Sequence, residues 1–294
     1  MTKKEKMNIF KGLAFISPWI IGFLTFTVYP VIMSFYYSFC DYSVFEKPLL
    51  IGFDNYIDLL FDKIFWISLG NTLYFAALSI PLGLIVAFII ALLLNAKVRC
   101  MAVYRTFFFM PTLVPIVASA VLWMWILNGQ YGLLNNFLEW IGLKGPNWLQ
   151  DKYWVIPALV VMGLWGLGRT IVILLAGLQE VPQSLYEASE IDGANYIQRI
   201  FNVTIPMVSP IIYFNVIMGI IGCLQVFSEP FIMTGGGPGR ASTFYSFYLY
   251  QKAFEDYNMG YASAMAWILF IVILVLTLIA NQISKRFVFY RGGD

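Results

Sequence analysis

Few side chains in this 294-residue chain are equipped for chemistry. Histidine is absent, which removes imidazole general bases, proton relays and the commonest metal ligand together. Cys40, Cys100 and Cys223 lie far apart with no CxxC pair, so they read as small apolar fillers rather than as a metal or disulfide set. No G-x-x-x-x-G-K-[ST] stretch is present to cradle nucleotide phosphates. Two features remain. One is the segment from Ser184 to Pro206, SLYEASEIDGANYIQRIFNVTIP, which carries Glu187, Glu190 and Asp192 close together. The other is Arg169, a lone cation inside an apolar run. Carboxylates on a short exposed helix suit ion pairing with a basic partner. A cation in hydrocarbon costs roughly 2.5–3.5 kcal/mol at a helix centre on insertion scales, so it must face a polar interior.

The elements that position these groups follow from composition. Hydrophobic residues make up 60% of the chain and charged residues 12%, with a mean hydropathy of +0.77. Soluble domains hold about 25% charged residues, so this is an integral membrane protein. The net charge of +2 and the lack of a basic stripe exclude nucleic acid as a partner. The 18% aromatics suit lipid-facing and interfacial positions. Charge-poor runs long enough to cross about 30 Å of hydrocarbon occur at residues 13–36, 70–95, 105–128, 154–178, 207–228 and 261–284. The expected fold is therefore all-α and polytopic, with six transmembrane helices in a domain over residues 12–286. Short tails at 1–11 and 287–294 flank that domain, and a loop at 179–206 interrupts it.

Lysine and arginine counts set the orientation. With both termini inside, 11 basic residues fall in the cytoplasm and 6 outside, with Arg169 in the membrane. The positive-inside rule thus places both termini and the 179–206 loop in the cytoplasm. The N-terminal lysines before an apolar run also suit a signal peptide, but the run is too long and no A-x-A site follows. Outer loops at Asp41–Lys63, Asn128–Tyr153 and Glu229–Asp256 are rich in Tyr, Trp, Gly and Pro. They make either a shaped rim or an interfacial aromatic belt.

Within the loop, Pro182 ends one helix, and Ser184 with Glu187 three residues on fits a capping box. Gly193 supplies a left-handed stop, and Asn195 caps a second short helix before Pro206 leads into the next span. Leu185, Ala188, Ile191 and Ala194 form an apolar face that is too short to be stable alone. It lies either on the membrane surface or on another protein. An anionic inner leaflet repels Glu187, Glu190 and Asp192, which favours the protein.

Glu187-Ala188-Ser189, Asp192-Gly193-Ala194 and Ile205-Pro206 resemble the EAA loop of binding-protein-dependent ABC transporter permeases. The resemblance extends along the chain. Gly52-Phe53-Asp54-Asn55-Tyr56, Asn71-Thr72, the run from Arg105 to Pro111, Ala176-Gly177-Leu178-Gln179 and Thr234-Gly235-Gly236-Gly237-Pro238 are similar to motifs of the carbohydrate-uptake permeases, of the maltose-transporter F type. Ser189 stands where the pattern has a second alanine, and Ile205 where it has leucine.

The resemblance implies a cytoplasmic coupling helix that docks on an ATPase subunit, with Glu187, Ala188, Ser189, Asp192, Gly193, Ala194 and Pro206 at the contact. It implies a second homologous permease, two ATPase subunits, an extracytoplasmic solute-binding protein and a sugar-class substrate in the cytoplasmic membrane. This chain would bind no cofactor and catalyse no reaction, ATP and magnesium being used by the partner ATPase. The family's sugar site lies near mid-membrane in the fourth and fifth spans. There Met162, Trp165, Gly166 and Arg169 share one helical face, and Asn215, Gly219, Gly222 and Gln225 form a stripe. Trp165, Gly166, Arg169, Asn215, Gly219 and Gln225 are accordingly the substrate-path candidates. Helix packing through small residues and an arginine bonded to backbone carbonyls are the plainer alternatives. Other readings of the whole chain are a gradient-driven transporter, an ABC permease for a non-sugar solute, and a membrane receptor or structural protein. The spans contain no carboxylate, which disfavours the gradient-driven one.

Overall fold

The computed structural model describes residues 3–96 and 98–288; Lys97, Arg291 and most of the 287–294 tail lie outside the described residues. In chain order the α-helices are α1 (Lys3–Phe23), α2 (Tyr29–Tyr37), α3 (Asp54–Phe61), α4 (Lys63–Leu94), α5 (Met101–Phe109), α6 (Ile116–Ile126), α7 (Leu133–Trp140) and α8 (Val155–Trp165). They continue as α9 (Gly168–Gln179), α10 (Gln183–Ile191), α11 (Tyr196–Arg199), α12 (Ile205–Leu224), α13 (Ser228–Met233), α14 (Tyr245–Tyr250) and α15 (Met259–Phe287). A two-residue antiparallel pair, β1 (Cys40–Asp41) and β2 (Leu49–Leu50), follows α2.

Four stretches are single helices long and apolar enough to cross a membrane: Phe10–Tyr37, Lys63–Leu94, Tyr196–Leu224 and Met259–Phe287. The other two expected spans are broken. Met101–Leu113 and Ile116–Ile126 meet at 98°, and Val155–Trp165 and Gly168–Gln179 meet at 53°. The first break follows from proline. Val114 is extended (ψ 127°) ahead of Pro115, as the pyrrolidine ring demands of its predecessor, and Pro115 then opens α6. The second follows from Gly166 and Leu167, whose ψ of 12° and 2° leave the helical path. Among the described residues the helices long and apolar enough to cross thus number four, or six with each bent pair taken as one.

The chain forms two compact units. The first joins the residues up to Asp62 with Leu249–Ile268. Its polar knot is Asn55, buried, whose Nδ2 donates to the carbonyls of Ser38 (3.0 Å) and Cys40 (2.9 Å). Tyr56 Oη donates to Ser38 Oγ at 2.8 Å and Tyr261 Oη to Asp62 Oδ2 at 2.7 Å. No residue in the most apolar stretch of Phe10–Tyr37 is buried.

The second unit, Lys63–Tyr248 with the residues from Leu269, is organised on α4, which packs against α8, α9 and α12, while α12 also packs on α9. Ala87 and Ala91, one turn apart, are fully buried and let α4 approach closely. They join Leu94, Ile171, Leu174, Leu175, Leu178 and Val208 in one apolar cluster. A second cluster toward the other end of α4 unites Phe75, Ala120, Leu127, Met233 and Phe244 with Val155, Ile156, Ala158, Leu159, Val160 and Met162 of α8. Between them the broken helices touch at their breaks. A Cβ on Gly168 would meet Thr112 Cγ2 at 2.7 Å and the Phe108 carbonyl oxygen at 2.8 Å, so only glycine permits this crossing.

Candidate functional site

The hairpin formed by α10 and α11 is the most exposed polar feature at the Leu94 end of α4. Helix α10 begins two residues earlier than the Ser184–Glu187 spacing predicts. Pro182, extended at ψ 133°, is the N-cap, no side chain caps it, and Ser184 falls at the second helical position. The capping-box expectation at Ser184 is therefore corrected. The box lies instead on α11, where Asn195 Oδ1 accepts from the Gln198 amide at 2.9 Å and Gln198 Oε1 accepts from the Asn195 amide at 2.8 Å.

Gly193 terminates α10 as expected, at φ +76°. The Ala194 amide donates to the Ser189 carbonyl (2.9 Å) and the Gly193 amide to that of Glu190 (3.0 Å), the paired bonds of a Schellman stop. Nothing lies within 4 Å of where a Gly193 Cβ would stand, so the glycine is there for its backbone alone. Arg199 pairs with Glu190 across the hairpin. Tyr186 Oη and Thr204 Oγ1, 3.0 Å apart, tie α10 to the base of α12. Ser189 Oγ donates to the Tyr186 carbonyl at 2.7 Å.

The hairpin does not end at Pro206. Helix runs without interruption from Tyr196 through a π-helical turn, Ile200–Thr204, into α12. Pro206 has no N–H to continue an ordinary ladder, and the wider turn, with the Ile205 amide donating to the Ile200 carbonyl, passes the irregularity along. Pro210, four residues on, leaves the Pro206 carbonyl without its usual donor, and Ser209 Oγ takes it at 2.6 Å.

The outward side of the hairpin has no partner among the described residues. Ile191 is 87% exposed and Ile197 64%; Glu187, Ala188 and Asp192 are exposed as well. Together they present a surface that mixes exposed carboxylates with apolar side chains, a composition found at interaction sites. Beneath it, Arg105 Nη2 donates to the Leu94 carbonyl at 3.1 Å and closes the end of α4 with a positive charge.

The substrate-path candidates are only partly brought together. Trp165 is half-buried, edge to face with Trp123 at 6.3 Å, and Gly166 is exposed at the break. Arg169 is exposed in the first turn of α9. Because the helix bends between them, Trp165 and Arg169 do not share the continuous face that their spacing predicts. Asn215 is buried and spends its Nδ2 on the Ile211 carbonyl of its own helix (2.8 Å). Gly219 packs on Ile80 of α4, and Gln225 follows the end of α12, exposed.

Several groups at the far end of α4 carry no periodicity that would have marked them. Asn71 Nδ2 donates to the carbonyls of Arg240 (2.9 Å) and Thr243 (3.1 Å), and the Tyr245 amide donates to Thr72 Oγ1 at 2.8 Å. Thr243 Oγ1 in turn holds the Gly236 carbonyl at 3.1 Å. Two motifs some 160 residues apart, Asn71-Thr72 and Thr234–Pro238, are thus one structural joint. Glu229, in the first turn of α13, is partly buried, and burial pushes its carboxyl above the usual range against the lowering effect of its own backbone amide.

Residues 79–289 match the family described as binding-protein-dependent transport system inner membrane component. The chain is 39% identical over 288 residues to a probable ABC transporter permease protein, YesP, of Bacillus subtilis, covering 96% of this chain and 93% of that one. It is 34% identical to the trehalose/maltose transport system permease protein MalF of Thermococcus litoralis, with 97% of each covered. Among solved structures, a chain of a bacterial ABC transporter involved in the import of the acidic polysaccharide alginate superposes with a TM-score of 0.83. That pair is 27% identical, with 96% of this chain and 98% of that chain covered. With the second half of α4 and all of α5 to α15 inside the matched region and similarity along almost the full length, this chain belongs to the binding-protein-dependent inner membrane components, the permeases of ATP-binding-cassette transporters.

Proposed function

We propose that the chain is one permease half of an importer that moves a sugar or sugar derivative across the cytoplasmic membrane by alternating access. It crosses six times with both termini in the cytoplasm, and it pairs with a second, homologous permease. Two ATPase subunits, one at each permease, supply the energy from ATP, and an extracytoplasmic binding protein delivers the substrate. The sugar class is supported by the relatives' substrates, trehalose or maltose in one and alginate in another. Delivery by a binding protein is supported by the alginate transporter, solved with a pentasaccharide-bound periplasmic protein.

The observation that carries this reading is the exposed hairpin fused to a spanning helix. Its outward apolar and acidic residues, Leu185, Ile191, Glu187 and Asp192, lack partners among the described residues, while its inner side is bonded to the base of α12. Such a part receives force from a bound subunit. Glu187 pairs with a basic group there, Ala188 and Ala194 allow close approach, and Gly193 keeps the turn. The path candidates around Trp165, Gly166, Arg169, Asn215, Gly219 and Gln225 lie along the helices this hairpin moves.

The test is coupling in proteoliposomes holding the assembled transporter. Glu187→Lys and Gly193→Asp are expected to insert normally and to abolish uptake while ATP hydrolysis no longer responds to the loaded binding protein. Normal uptake by both variants would sink the proposal.

A further inference from the structure

At the far end of the second unit, three segments distant in sequence enclose a cavity of about 390 Å³. They are the end of α6 with Asn128 and Gly129, the segment from Asn147 to Gln150, and the turn from Met233 to Pro238. This is within the size range of small-molecule sites, roughly 300–1,000 Å³. Its walls are fixed before any ligand arrives. Asn135, 3% exposed, donates through Nδ2 to the carbonyls of Gly129 (2.8 Å) and Pro146 (3.1 Å) and accepts from Trp148 Nε1 at 2.7 Å. Opposite, Ser242 Oγ holds the Gly237 carbonyl and shares a hydrogen bond with Thr234 Oγ1.

The chemistry of the lining is specific. It contains no ionisable side chain. Asn128 Oδ1 accepts from the amides of Gln130 (2.9 Å) and Tyr131 (3.1 Å), which leaves its Nδ2 without a partner among the described residues. Asn147 Nδ2 donates to Gln150 Oε1 at 2.8 Å, which leaves Asn147 Oδ1 and Gln150 Nε2 unused in the same way. Two amide donors and an amide acceptor therefore edge a floor of Met124, Leu127 and Met233. Vicinal hydroxyls need donors and acceptors side by side, and the C–H face of a pyranose or furanose ring needs an apolar floor. An anion would find no counter-charge there, and a cation no carboxylate.

We propose that this cavity is a binding subsite for an uncharged glycosyl unit, separate from the candidates in the spans and filled before the sugar enters them. The proposal rests on the importer reading and deepens it by naming a neutral sugar unit as what the rim accepts. Handover from a binding protein requires weak binding, and three amide contacts in a half-open cavity suit that.

The test is saturation-transfer NMR on the assembled transporter in lipid nanodiscs. The probes are the neutral trisaccharides maltotriose, raffinose and arabinotriose, with trimannuronate as the anionic control. At least one neutral probe is expected to show signal, and the control several-fold less. Asn128→Asp keeps the oxygen that caps Gln130 and Tyr131 but removes the donor; Gln150→Leu removes the second donor. Each is expected to lower the neutral-probe signal about fivefold. Wild-type signal in both variants, or no signal from any neutral probe, overturns the subsite. So does weaker docking of the sugar-free binding protein with unchanged sugar signal, which would make the cavity a protein contact. Uptake by the same preparation in proteoliposomes reads the importer assignment independently, so either can fail alone.

Discussion

Tyr186 and Thr204 place their hydroxyl groups 3.0 Å apart, bridging the exposed helix α10 and the buried base of α12. Thr204 is 2% exposed and also donates to the Arg199 carbonyl at 3.3 Å. Tyr186 thus bonds α10 to the buried base of the spanning helix, while the Arg199–Glu190 pair joins α10 to that helix's exposed first turn.

Removing that bridge tests how the hairpin is held. A hydrogen bond of this kind contributes about 0.5–1.5 kcal/mol net. Tyr186→Phe and Thr204→Val are each expected to lower the ratio of uptake to ATP hydrolysed, and the double variant to do no worse than the more damaging single. Additive losses would show that the two residues act separately.

Gly193 sits at φ +76° in open space. Gly193→Ala brings no clash, only the cost of a left-handed backbone, about 1–2 kcal/mol. The expected outcome is partial uncoupling, with Gly193→Asn milder because asparagine tolerates that region. Limited proteolysis of the hairpin in inverted vesicles should rank the three as Gly, Asn, Ala in order of increasing cleavage.

At the crossing of the two broken helices, Gly168→Ala sets a methyl group against Thr112 and the Phe108 carbonyl. Trimming the threonine by Thr112→Ser relieves the first contact but not the second, because a backbone atom cannot be trimmed. Stability measured by thermal aggregation in detergent is therefore expected to fall in Gly168→Ala and to recover only in part in the double variant. Full recovery would mean that Phe108 gives way.

Glu229 provides a pH dependence. Its carboxyl titrates above the ordinary 4.5 in the folded protein because of burial. The folded state therefore binds this proton more tightly than the unfolded state. Stability from this group is fully present at pH below 4.5 and is lost as pH rises through the raised value. Glu229→Gln is expected to flatten that slope and to raise the melting temperature at neutral pH relative to the parent. An unchanged difference between parent and variant across the range would exclude the carboxyl as its source.

The six apolar runs were legible because charge is excluded from hydrocarbon whatever the fold, and the interruptions between runs are long. The two breaks were not, since hydropathy carries no direction. Pro111 and Pro115 are the local signal that was available, and Gly163 and Gly166 the weaker one at the second break. Gly193 and Asn195 were readable because helix stops and caps depend on local backbone chemistry. Ser184 misled because Pro182 fixes the helix start two residues ahead of it. The Trp165–Arg169 face failed for a related reason: spacing rules hold only while the helix is unbroken. Asn128, Asn147 and Gln150 could not be grouped in advance, as what unites them is the clamp by Asn135 and nothing in their spacing.

The run from Tyr196 to Leu224 spans 29 residues, roughly 43 Å at 1.5 Å per residue. A π turn and the missing amide donors of Pro206 and Pro210 fall within its first fifteen residues, and the remainder is regular. A rod built this way has one compliant joint beside the applied load and a stiff arm beyond it. Rotating the arm beyond Pro210, roughly 21 Å long, by about 10° displaces its tip by roughly 4 Å. Under the proposed coupling role, small strokes at the hairpin would become movements the width of a sugar hydroxyl or more at the end where Gln225 and Glu229 stand.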